Sequence, residues 1–240
     1  MALNIKGNIL SSNDITSVGV FKSKINRDGL VLYLDAGSLD SYPRTGTAWT
    51  DLTGTGNNAT LTGGPTFDSG NGGSIYLAGD GSGNSIIAGN SGMIHRTANF
   101  TYCAWINQTV LESYDTLFEN GLYTGGILLR PSYGTNFEVY SQGSYAGSFS
   151  YVPTINIWYY VSIVRYDNLL YFYVNGVYSQ QMAFNYDVQP STAYLWIGAS
   201  QHSSGQVFKG KISIAQVYNR ALHPWEVAEN FQATRGRFGI

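Results

Sequence analysis

The chain has 240 residues, of which 12% are charged, 29 are Gly and 19 are Tyr, a mixture that suits many strands joined by tight turns and leaves little material for helices. Thirteen Lys and Arg against 15 Asp and Glu leave a net charge of -2, which excludes a global attraction to nucleic acid. No apolar run approaches the roughly 18 residues of a membrane span, so membrane insertion is excluded as well, and the length fits one generous β domain with appendages.

Residues 1–28 differ from the rest. They carry Lys6, Lys22, Lys24 and Arg27, contain no Trp or Tyr, and hold too little apolar bulk to fold alone. The scatter of Ile, Val and Phe between Ile15 and Ile25 favours an attachment or oligomerisation arm over a surface-hugging extension. The opening Met-Ala-Leu-Asn-Ile-Lys-Gly-Asn lacks the apolar core of a secretion signal, which implies synthesis in a cytoplasm. Residues 29–240 then read as one domain.

Leu30–Asp35 is the first strand, followed by a Gly-, Ser- and Thr-rich excursion and a short strand at Ala59–Leu61. Ser74–Leu77 is another strand, ending in the loop Gly79-Asp-Gly-Ser-Gly-Asn84. Asp80 and Asn84 there offer oxygens to a hard cation such as calcium, although six or more are needed. Phe100–Ile106 reads as a buried strand, and its Cys103, the chain's one cysteine, as a small buried side chain without redox or nucleophilic work. Asp115–Phe118 and Gly126–Leu129 form the next pair. Asn136–Tyr140 and Gly147–Tyr151 alternate as strands with one wet face. Tyr114, Tyr123, Tyr133 and Tyr145 lie near glycines, which places them at loop tips where a phenol ring can stack on a sugar or fill an interface.

Trp158–Gly176 is the densest stretch. Two runs of aromatic and β-branched residues flank Asp167-Asn168, and Asn175-Gly176 supplies a second pair able to take positive φ, so three antiparallel strands are expected. Leu170, Phe172 and Val174 on one face and Tyr171 and Tyr173 on the other mark a strand covered on both sides. Ala193–Gly198 and Phe208–Tyr218 add two strands. From Pro224 to Gly236 the period becomes helical, with Pro first, Glu226 third, Val227, Ala228 and Phe231 on one side, and Arg235 and Arg237 near the negative end of the dipole.

Three blocks together resemble the laminin-G-like branch of the concanavalin A-like lectin and glucanase superfamily: Phe100–Ile106, Trp158–Gly176 with its Tyr-Val-Asn-Gly hairpin, and Ile197-Gly198 with Phe208, Gly210, Ile212 and Val217-Tyr-Asn-Arg-Ala-Leu222. The resemblance implies an all-β, concanavalin A-like jelly-roll β-sandwich of two antiparallel sheets with one short C-terminal helix and an N-terminal arm. Calcium is frequent in that family, but no full ligand set matches here. His223 departs from the family's Ser or Thr helix cap, which removes about 1 kcal/mol of cap stabilisation. At the front end, Asn26–Gly37, Ser41-Tyr-Pro43, Thr47-x-Trp-Thr-Asp-Leu52 and Gly56-Asn-Asn58, with the ending Arg235-Gly-Arg-Phe-Gly239, resemble laminin-G-like virion proteins of tailed bacteriophages. That implies a virion location, with other virion proteins or a second copy as partners.

Retaining glycoside hydrolysis needs two carboxyls roughly 5 Å apart, which the family's hydrolases supply from one strand. Glu112, Glu119, Glu138, Glu226 and Glu229 are dispersed instead, and no Gly-x-Ser-x-Gly nucleophile elbow exists. The sequence therefore reads as a non-enzymatic virion structural protein, a capsid decoration or a tail- or fibre-associated surface protein. The alternative is an adhesin for host-surface glycans.

Overall fold

The computed structural model describes residues 24–79, 83–89, 99–112, 115–121, 126–132, 135–187 and 194–240. Its strands, in chain order, are β1 Leu30–Asp35, β2 Ala48–Trp49, β3 Ala59–Thr62, β4 Thr66–Asp68, β5 Ser74–Leu77, β6 Ser85–Ala88, β7 Phe100–Gln108, β8 Phe118–Asn120 and β9 Ile127–Ser132. They continue as β10 Asn136–Ser141, β11 Ser144–Ser150, β12 Trp158–Tyr166, β13 Leu169–Val174, β14 Val177–Ala183, β15 Leu195–Ile197, β16 Ala199–Ser200, β17 Ser203–Val207 and β18 Gly210–Tyr218. One helix, α1 Pro224–Thr234, follows. No helix among the described residues is long and apolar enough to cross a membrane.

Two large antiparallel sheets form the expected sandwich. The first runs β14-β13-β12-β7-β18-β5-β4, with β1 also paired to β18; the second runs β11-β10-β9-β8-β15-β6-β3-β2. Alternation decides which residues meet between them. Leu32, Leu34, Tyr102, Ala104, Ile163, Leu170 and Phe172 of the first sheet pack with Leu61, Ile86, Phe118, Leu129, Phe137, Val139 and Phe149 of the second.

The intervening residues of the first sheet, Tyr33, Cys103, Trp105, Tyr160, Tyr173 and Ile214, face the other way into a second apolar layer with Val227, Phe231 and Phe238. Trp105 is its centre. Phe238 stacks on it at 3.9 Å, and its indole N–H donates to Thr234 Oγ1 at 2.7 Å. The first sheet is thus covered on both faces, as the unbroken apolar runs of β7 and β12 require.

The meander of β12, β13 and β14 forms as its turn residues dictate, with Asp167 at φ 52°, Asn175 at 51° and Gly176 at 76°. β14 and β11, the outermost strands of the two sheets, are joined by Gln180, whose amide donates to the Ser150 carbonyl at 2.8 Å and accepts from the Ser150 N–H at 3.0 Å. That contact engages backbone groups an edge strand would otherwise leave open.

Several local expectations are corrected. Asp115–Leu117 lies outside strand structure, and the strand begins at Phe118. Tyr145 sits within β11 and not at a loop tip. In α1 the buried residues include Glu226, Asn230 and Thr234 beside Val227 and Phe231, because the helix covers polar groups of the first sheet as well as rings. The missing hydroxyl cap is compensated in part: the His223 N–H donates to Glu226 Oε2 at 2.8 Å. Arg237 does more than face the helix dipole, since its guanidinium grips both Asp35 oxygens, at 2.7 and 2.9 Å, and tethers the tail to the first strand.

Candidate functional site

The outward face of the second sheet carries a cluster of polar and aromatic groups around Tyr145. Cross-strand register places Tyr145, Tyr140, Leu128, Glu119, Trp196, Ile87, Thr60 and Ala48 in one line from β11 to β2. Each comes from an alternate position whose neighbours, such as Val139, Leu129 and Ile197, point into the core. Sequence alternation therefore builds the row and the core together.

Beside the row, Arg130 stands opposite Glu138. Its Nε donates to Glu138 Oε2 at 2.8 Å, an NH2 proton goes to the Tyr140 hydroxyl at 2.7 Å, and its guanidinium lies 4.4 Å over the Tyr140 ring. Tyr145 completes the cluster, edge-on to Tyr140 at 5.4 Å and 54% exposed. Its hydroxyl shares a hydrogen bond with Ser148 Oγ at 3.0 Å. Burial and the adjacent Glu138 raise the Tyr140 phenol above its ordinary range against the opposing charge of Arg130, which keeps it neutral.

The β16–β17 hairpin rises next to this face. Glu119, 1% exposed, accepts from the Gln201 N–H at 3.1 Å and lies 3.3 Å from His202 Nε2. Between the hairpin and the sheet is a pocket of about 140 Å³ lined by Leu128, Arg130, Tyr140, Ser200, His202 and Gln206. It presents an apolar floor, a cation, an imidazole, a hydroxyl and an amide, which are the groups that recognise a hydroxylated ring by directed hydrogen bonds and stacking.

A model of the concanavalin A-like lectin/glucanases superfamily matches residues 80–228. The chain belongs to that superfamily. No sequence relative is found among curated proteins. Solved structures of similar fold include domain 4 of the extracellular arabinanase AbnA from Geobacillus stearothermophilus in complex with arabinotriose. It is 18% identical with a TM-score of 0.64, over 84% of this chain and 97% of that one. The structure describing entry of botulinum neurotoxin type C through two ganglioside molecules aligns at 13% identity and TM-score 0.68, over 87% of this chain and 52% of that one. Trypanosoma rangeli sialidase in complex with sialic acid aligns at 16% and 0.64, over 87% and 33%. This lectin/glucanase-type chain thus spans nearly all of the arabinanase domain, half of the toxin chain and a third of the sialidase.

Of the residues singled out in the sequence, Tyr145 joins the cluster, while Tyr114, Tyr123, Tyr133 and Asp80 lie outside the described residues. Asn84 is 3% exposed, with its oxygen accepting from the Ala78 N–H at 3.0 Å and its NH2 donating to the Gly63 carbonyl at 2.5 Å. Its amide thus ties two backbone segments, an arrangement that does not fit a cation ligand. Among the described residues no three His, Cys, Asp or Glu side chains gather as metal ligands do. Sequence reasoning missed Arg130, Tyr140, Glu119 and His202. The available signal was the pairing of Leu128 and Arg130 with Glu138 and Tyr140, two alternating strands whose wet sides face one way.

Proposed function

We propose that the chain is a carbohydrate-binding domain that adheres and does not catalyse, using the Tyr145–Tyr140–Arg130 face and the adjacent pocket. The observation that carries this reading is the cluster itself: an exposed phenol ring beside a cation, a carboxylate and a small polar pocket on the outward face of the second sheet. The ligands of the arabinanase domain and the botulinum toxin, an arabinotriose and gangliosides, agree with a saccharide partner. Binding to immobilised glycans checks it. Tyr145→Ala and Gln206→Ala are expected to abolish capture without lowering the melting temperature, and glycan arrays that stay blank would sink it.

Hydrolysis is the rival chemistry. Glu119 and Glu138 stand on one face, on strands separated by β9, a backbone spacing of roughly 10 Å. Glu119 is engaged by the Gln201 N–H and His202, and Glu138 by Arg130 and Tyr140. Both carboxylates thereby hold the scaffold. Turnover of a bound oligosaccharide, lost on Glu119→Gln or Glu138→Gln, would overturn the non-enzymatic reading.

A particle-bound setting, on a bacteriophage virion with other virion proteins as partners, is a second reading, favoured by the front-end resemblance. In it the segment before Lys24 attaches the domain and the second sheet faces outward. Loss of particle association on deleting residues 1–23, with the domain still folded, is the expected result. Normal occupancy of the truncated chain would refute the attachment role.

A further inference from the structure

We propose that the groove between β12, β13 and the start of α1 is a second saccharide site, selective for neutral rings; the proposal rests on the carbohydrate-binding reading above. The groove encloses about 660 Å³ on the outer face of the first sheet, across the sandwich from the Tyr145 row. Ligand pockets run to roughly 300–1,000 Å³, so its size is that of a site and not of a packing defect.

Three phenols wall it. Tyr171 stands opposite Val164 in the ladder, and alternation brings Tyr166 and Tyr173 to the same face. Tyr166 is 54% exposed, whereas Tyr173 is only 4% exposed. None of the three hydroxyls has a hydrogen-bond partner among the described residues, and the Tyr173 hydroxyl, on a ring only 4% exposed, still reaches solvent at the groove. Burial, then the crowding of Tyr171 and Tyr178, raises the Tyr173 phenol and keeps it a neutral donor. Ring faces for the C–H side of a sugar and uncommitted hydroxyls for its O–H groups are therefore present together.

Charge decides which sugars fit. Arg220, at one end of the groove, has every N–H engaged: Nε with Asp28, one terminal nitrogen with the Ala221 carbonyl and Glu226, the other with Asn26 and Glu226. It has no proton left for a ligand carboxylate or sulfate. Asp28, whose side chain is 84% exposed, adds a negative charge at the rim. An acidic saccharide meets repulsion without a compensating donor, and a neutral one meets neither.

The test exposes the full chain to an array of neutral and sialylated glycans. Tyrosine ring resonances are then followed while maltotriose, arabinotriose and sialyllactose are titrated. Neutral ligands are expected to move the Tyr166, Tyr171 and Tyr173 signals, Tyr171→Ala to weaken that response by about tenfold, the worth of one good aromatic contact, and Tyr145→Ala to leave it intact. Asp28→Asn should let sialyllactose enter. Shifts confined to Tyr140 and Tyr145, or equal response of the groove to sialyllactose in the unmodified chain, would overturn the groove assignment while leaving the proposed function standing. No glycan bound and no ring signal moved would end both.

Discussion

At the scale of single residues, Glu226 ties the helix start to both Arg220 and Asn26. It is 3% exposed, receives both terminal nitrogens of Arg220 at 2.6 and 2.7 Å, the Asn26 amide at 2.7 Å and the His223 N–H. The Arg220 hydrogen bonds hold its carboxyl below the usual range. A depressed carboxylate stabilises the fold above its unfolded pKa and loses that contribution as pH falls through the folded value. Glu226→Ala leaves Arg220 half-buried without its main anion, so a loss of about 3 kcal/mol is expected in denaturant unfolding. Asp115 behaves oppositely. Burial pushes it up to about 8, with Glu112 adding to the rise and Lys209 opposing it. The folded state then holds a proton that the unfolded state has released, so stability falls as pH rises between 3.8 and about 8. Asp115→Asn should flatten the melting temperature across that window; an unchanged slope would remove Asp115 as its source. Cys103, 0% exposed with its thiol pushed up to about 11, should resist alkylation until the protein unfolds.

At the scale of elements, the tail is joined to the first strand and to the loop before β5. Arg237 holds Asp35, Ser213 Oγ and the Gly73 carbonyl, and the Asn71 amide donates to the Arg237 carbonyl while accepting from the Trp158 indole. Gly73 is part of this joint. Its φ is 138°, and a Cβ there would meet the Ala36 carbonyl at 2.5 Å, so Gly73→Ala should cost roughly 1–3 kcal/mol through backbone strain. Arg237→Ala should lower the melting temperature further than Arg235→Ala, because Arg235 only lies over the Phe231 ring. Equal effects would show that the joint adds nothing. The strands of this fold were legible because β12 and β13 advertise their turns and alternation; Leu30–Asp35 and Ser74–Leu77 match residue for residue. The joint was not legible. Asp35 and Arg237 lie 202 positions apart, and nothing local distinguishes a tail arginine that caps a helix from one that reaches a distant carboxylate. The same blindness hid Arg130 and His202, whose meaning depends on which strands become neighbours.

At the scale of the whole molecule, the front-end signature has a structural meaning. Asp51 accepts from the Tyr33 and Thr53 N–H groups, Asn58 accepts from the Asp51 N–H, and Trp49 is fully buried. These residues fasten β1 to its loop in any setting, so the signature reports architecture first. Removing residues 1–23 is expected to leave the melting temperature unchanged. Removal through Asp28 should lower it, since Asn26 bonds Glu226 and Asn230, and accepts from the Tyr218 hydroxyl. Indistinguishable melts would deny that Asn26 helps hold the helix. Asn26 and Phe238 both rest on the helix side, one on α1 itself and the other on Trp105 and Trp158, while the Tyr145 row looks out from the opposite sheet. In the particle-bound reading proposed above, a carrier held on the helix side would sit behind the domain and leave the row in view. On the proposed carbohydrate-binding reading, mounting would point every such row the same way, so the strength of a crowded surface would come from copy number.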